Sequence, residues 1–187
     1  MKQIILKNIM KTQTIKKILI ILLLSTVSLK AQYTIIPELS VQTSMSAKLT
    51  RLDYFGSGLP KQYDTSVNVF KIDLIQGRMI NEKAFLGVGL GVEGLILGPY
   101  TDVFVPIFFH YRYNLKPLHI AGSAGYSFGD AYTGSGIFFN IGTAYHLGIF
   151  HIGAFYEYQS LTGNNAVIDN YHSIGIKTGI TLQPFKK

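Results

Sequence analysis

A chain of 187 residues without cysteine has room for one domain with a real core, and it excludes disulfide staples and thiolate metal sites. It is 48% hydrophobic and only 14% charged, yet only the N-terminus holds an apolar run approaching the length of a membrane-spanning helix, so the other apolar residues are dispersed. The formal charge of +7 sits mostly in residues 1–31, which carry six lysines and no acid; the remainder has eleven basic against ten acidic residues, which removes the basis for a nucleic-acid surface.

In chain order, the first element is a cleaved signal peptide over residues 1–31. Lys11, Lys16 and Lys17 form a basic segment, residues 18–24 a short apolar one, and Ala31 a small residue at the cut. Counted from Met10, the signal has an ordinary length. Residues 32–187 then form the mature domain.

From about Tyr33 the hydrophobicity alternates with period two, in segments separated by Gly, Asn, Asp, Pro and Lys. This predicts strands at 33–44, 67–79, 84–97, 103–113, 118–128, 136–146, 150–160 and 171–182, with no segment of helical period. In the fourth, Val103, Val105, Ile107, Phe109, Tyr111 and Tyr113 share one face, opposite Phe104, Pro106, Phe108, His110 and Arg112. In the third, Leu86, Val88, Leu90, Val92 and Ile96 oppose Gly87, Gly89, Gly91 and Glu93. A soluble sandwich would put Lys, Glu and Thr on its outward face. Here the polar faces carry glycine and single charges, which suits a narrow lumen inside an apolar wall that meets lipid. Lipid leaves no open strand edge satisfied, so the sheet must close.

Connection lengths alternate. Short links follow strands two, four and six, while longer ones span 45–66 and 161–170, the outer-membrane arrangement of short periplasmic turns and long outer loops. Aromatics predict two girdles: Tyr111, Tyr113, Tyr145 and Phe150 at the short-turn end, and Tyr100, Tyr126, Phe128, Tyr156, Tyr158 and Tyr171 toward the loops. The predicted fold is all-β, a closed antiparallel eight-stranded transmembrane up-and-down β-barrel in the cell outer membrane, in contact with outer-membrane lipid.

Strand parity points Glu38, Lys71, Asp73, Glu93, Arg112, Glu157 and Lys177 into the lumen. Folding about the short turns sets Lys71 opposite Glu93, Arg112 opposite His119, and Asn140 opposite Glu157. Eight strands enclose a bore that side chains fill, and buried charges there must pair, so these nine residues are expected to form a polar plug with no open channel.

The stretch Val105-Pro106-Ile107-Phe108-Phe109-His110-Tyr111-Arg112-Tyr113, followed by Lys116-Pro117-Leu118-His119-Ile120-Ala121-Gly122-Ser123-Ala124-Gly125-Tyr126, resembles the PorT-like outer-membrane β-barrel family. The closing Ile174-Gly175-Ile176-Lys177-Thr178-Gly179-Ile180-Thr181-Leu182-Gln183-Pro184-Phe185 is similar to that family's last strand, with Pro184, Lys186 and Lys187 as departures. The resemblance implies recognition by the barrel-insertion machinery during assembly, an envelope protein partner and, for some relatives, a part in secretion. It carries over no catalytic residue.

Other motifs read as structure. Gly89-Leu90-Gly91-Val92-Glu93-Gly94 matches G-x-G-x-x-G, but no helix follows to face a pyrophosphate, so no nucleotide cofactor is expected and the glycines are lumen positions kept small for Phe108 or Phe155. A barrel-borne lipid A acyl hydrolase would need a His-x-Ser pair on one face. The nearest letters, His172-Ser173, point to opposite faces. His110, His119, His146 and His151 project inward without carboxylates at ligand spacing and read as lumen filler, not as a metal site. Residues 54–60 and 162–165 are loops able to bind a partner. The function expected is that of a non-enzymatic structural, surface-binding or secretion-associated component. The alternatives are the acyl hydrolase and a narrow pore for small solutes.

Overall fold

The computed structural model describes residues 33–52, 60–97, 100–129, 134–162 and 166–182; the expected signal peptide over 1–31, most of the loops expected at 54–60 and 162–165, and Pro184 to Lys187 lie outside the described residues. The described residues form nine strand segments: β1 (Tyr33–Leu52), β2 (Pro60–Thr65), β3 (Asn68–Met79), β4 (Ala84–Leu97), β5 (Tyr100–Asn114), β6 (Leu118–Phe128), β7 (Ser135–Leu147), β8 (Phe150–Thr162) and β9 (Ala166–Ile180). From β3 to β9 each pairs antiparallel with the next, β1 pairs antiparallel with both β2 and β3, and β1 also pairs with β9 from Glu38↔Gly179 to Arg51↔Ala166, which closes the sheet. Both β2 and β3 lie along β1, so together they are one barrel strand and the barrel has eight.

The long link expected over 45–66 is instead mostly strand. β1 runs on to Leu52 and pairs with β2 from Ala47↔Thr65 to Leu52↔Pro60. β5 and β9 likewise begin at Tyr100 and Ala166, earlier than the alternation indicates. A strand that continues past the lipid still gains from backbone pairing but needs no apolar face, so its sequence loses the alternation by which it is recognised. Where β2 gives way to β3, the Val67 N–H donates to Ser44 Oγ at 2.7 Å and the Ser44 N–H donates to the Val67 carbonyl at 2.7 Å, so the break leaves these groups paired.

The wall follows the period of two. Phe109 is 71% and Ile176 63% exposed, with Val41, Ile72, Val92, Val103, Ile141 and Ile152 also outward, an apolar surface far larger than a water-soluble protein displays. Inside, Ala47, Val67, Val69, Leu95, Phe104, Leu161 and Tyr171 cluster toward the loop end. Ile36, Ile75, Phe85, Phe108 and Phe138 form a second buried cluster. Gly89 lies directly across from Phe108, and a Cβ there would run into the Phe108 ring, which is why this lumen position holds no side chain. Gly89→Val is therefore expected to lose about 1–3 kcal/mol by overpacking. Urea unfolding from lipid vesicles measures the loss, and Phe108→Ala in the same chain should recover part of it.

Candidate functional site in the barrel lumen

The alternation that turns leucine and isoleucine outward turns every second residue of the same strands inward, and these positions carry the charges. Two registers agree with folding about the turns: Lys71 is opposite Glu93, and Asn140 is opposite Glu157. The third differs. Arg112 faces Ala121, and His119 faces Asn114, because the β5–β6 turn is centred on Lys116 and Pro117, two residues' worth of register from the expected fold. Pro117 has no N–H for the ladder and so belongs in the turn.

Glu38 and Glu157 each gather a set of donors. Around Glu38, Arg112 Nη2 donates to Oε1 at 2.8 Å, His151 Nε2 donates to the same oxygen at 2.9 Å, and Lys177 Nζ lies 3.7 Å from Oε2. Arg112 Nη1 also reaches Thr181 Oγ1 at 3.3 Å. Around Glu157, Lys71 Nζ donates to Oε2 at 3.1 Å, Asn140 Nδ2 to Oε2 at 3.1 Å and Gln42 Nε2 to Oε1 at 3.0 Å. Lys71 Nζ is also 3.6 Å from Glu93 Oε2 and 4.3 Å from the centre of the Phe138 ring, so the ammonium is held by two carboxylates and an aromatic face.

The set extends past the residues that parity singled out. Gln42 accepts from Ser173 Oγ at 2.6 Å, and the Tyr171 hydroxyl bridges Glu93 Oε1, at 2.6 Å, and Gln159 Oε1. Tyr171 is thus a correction to the outer girdle: it is fully buried in the lumen, whereas Tyr126 and Phe128 are exposed on the wall. Its parity with Ser173 and Lys177 contains that information, but its chemical type suggested an interface. Gln42 shares the parity of Glu38 in the same way. At the short-turn end, His119 Nδ1 and His146 Nε2 share a hydrogen bond of 2.8 Å, with the His151 ring 5.3 Å from that of His119. His110 Nδ1 meets Ser123 Oγ at 2.9 Å.

Glu93, His119 and Glu157 are fully buried, and Glu38, Lys71, Arg112 and Lys177 nearly so, while Asp73 and Asn140 are partly exposed. Asp73 Oδ1 has no hydrogen-bond partner among the described residues. It borders an internal cavity of only about 10 Å³, shared with Glu38, Ser40, Lys71, Ser123 and Asn140. That is about the space of one water molecule. Among the described residues, no group of three or more His, Asp or Glu side chains has an arrangement that could hold a metal ion. Ser173 is buried in the lumen while His172 lies on the outer wall, its Nδ1 2.5 Å from the Tyr156 hydroxyl, so the two do not share a site.

No protein-family model matches the chain, and no curated protein matches it. Solved structures do. Ail, the attachment invasion locus protein of Yersinia pestis, aligns with a TM-score of 0.51 at 10% identity, over 81% of this chain and 99% of Ail. Neisserial surface protein A aligns with a TM-score of 0.52 at 11% identity, over 80% and 97%. The outer membrane protein OprG of Pseudomonas aeruginosa gives 0.51 at 12% identity, over 83% and 98%. At these identities the likeness is one of fold, that of small outer-membrane barrels. A closed barrel whose apolar side chains face outward satisfies its backbone and its wall together only in lipid, and the chain is an outer-membrane β-barrel.

Proposed function

We propose that this is a non-enzymatic outer-membrane barrel with a plugged lumen, acting through its wall and outer loops as a structural, surface-binding or secretion-associated envelope component. The observation that carries this reading is the occupancy of the bore. Two carboxylate-centred networks and two apolar clusters span it, and the cavity left beside Asp73 is about 10 Å³. The separation of His172 from Ser173 across the wall supports a non-catalytic role, and the resemblance of residues 105–126 to PorT-like barrels agrees with a place among small envelope barrels.

Planar-bilayer recording tests it. Wild-type protein is expected to show no steady conductance, and Glu93→Ala, which removes one of the two oxygens the Tyr171 hydroxyl bridges and one of the carboxylates beside Lys71, is expected to be leaky or less heat-stable. A steady, large conductance in the wild type would overturn the plug and favour a solute pore. Release of acyl chains from lipopolysaccharide by the purified barrel would overturn the non-enzymatic assignment.

A further inference from the structure

One part of the lipid-facing wall is neither uniformly convex nor uniformly apolar. Across β6, β7, β8, β9 and β1 the outward residues fall into rows along the hydrogen-bonding direction. One row is Ile120, Thr143, Ala154, Ile176 and Val41; the next toward the loops is Gly122, Ile141, Tyr156, Ile174 and Thr43; and the third is Ala124, Phe139, Tyr158, His172 and Ser46. The small residues Thr143 and Ala154 lie between isoleucines, and the wall is dented there into an open groove of about 900 Å³ that Tyr156, Ile174 and Ile176 also line. Thr143 does not make the groove polar: its hydroxyl donates to the His119 carbonyl at 3.0 Å, which leaves its methyl to line the surface.

Toward the loops the groove ends on polar groups. Thr43 and Asn68 face each other at its edge, and His172 stands in the next row with Ser46 on one side and Tyr158 on the other. The His172 ring packs 4.9 Å from Tyr158, and its Nδ1 meets the Tyr156 hydroxyl, while its Nε2 has no partner among the described residues. An ionisable side chain on a barrel's lipid face carries a cost that favours a polar partner supplied from outside.

We propose that this surface is a binding site for a saccharide-headed lipid of the outer leaflet, with one acyl chain in the Thr143–Ala154 groove and sugar hydroxyls on His172, Tyr156, Asn68 and Ser46. The polarity selects the headgroup. The described side chains of the upper two rows include no Lys, Arg, Asp or Glu to pair with a charged headgroup. With Asn68 beside Thr43 they offer hydroxyl, amide and imidazole groups next to two tyrosine rings, whose electron-rich faces suit the C–H face of a pyranose. The position is right as well, since the loop end of the wall faces the outer leaflet. The occupant is a lipid, not a soluble sugar, because the dent is apolar and is covered by the membrane.

Native mass spectrometry of the barrel, extracted from vesicles containing equal amounts of an uncharged diglucosyl diacylglycerol and phosphatidylethanolamine, tests the site. Wild type is expected to retain the uncharged glycolipid over phospholipid by about tenfold, equivalent to about 1.4 kcal/mol. The groove-filling Thr143→Leu/Ala154→Leu variant and the head-site variant His172→Phe should each fall to parity. Both change outward positions, and unaltered heat-modifiable gel migration confirms that they fold. Equal retention of the two lipids by wild type, selectivity untouched by either variant, or a barrel dimer lost on filling the groove would overturn the proposal.

Discussion

Glu38→Ala is expected to cost about 3–5 kcal/mol of barrel stability, the penalty for stranding buried charge without its partner. Glu38 holds Arg112 at 2.8 Å and His151 at 2.9 Å and lies 3.7 Å from Lys177, and both cations are almost entirely shielded from water. Among the described residues no other carboxylate makes a salt bridge to Arg112 or Lys177. Urea titration of the protein in vesicles measures the loss. A double variant, Glu38→Leu/Arg112→Met, should lose less than Glu38→Ala alone, because it removes a charge from each side. A loss below about 1 kcal/mol would mean that water reaches these groups as it reaches exposed pairs, which contribute little. That result would also undermine the plug.

Lys71→Met should be comparably damaging through the opposite charge. The ammonium lies 3.1 Å from Glu157 and 3.6 Å from Glu93, both fully buried, with Asp73 two residues along the same strand. Without it, carboxylates converge on the bore with no buried cation between them, at a cost of about 3–5 kcal/mol. Asn140 and Gln42 keep donating to Glu157, so the variant is expected to insert and fold but to melt earlier and to conduct. Lys71→Met/Glu157→Gln should recover more than half of the loss. Equal midpoints for the single and double variants would show that Lys71 acts by packing on Phe138, not by its charge.

Alternation, turn residues and connection length in the sequence were enough to determine a closed barrel with an apolar outside, because period-two patterning against lipid admits no other arrangement of this chain's residues. They also determined that Glu38, Lys71, Glu93, Arg112, Glu157 and Lys177 enter the lumen, since parity along a strand is a local property. Within a hairpin, Lys71 and Glu93 could be set opposite each other from the turn alone. What joins distant strands could not be read in that way. Glu38 on β1 meets Arg112 on β5 and His151 on β8, and Lys71 on β3 meets Glu157 on β8, only because closure and strand tilt bring their tips together across the bore. Tyr171 was assigned to the wall by its type and belongs to the lumen by its parity. The strand segments past the lipid, in β2 and the far end of β1, are paired along their backbones but left no alternation to read, because a strand outside the lipid needs no apolar face. The dent at Thr143 and Ala154 likewise exists only in the closed structure, where five strands set small side chains between large ones.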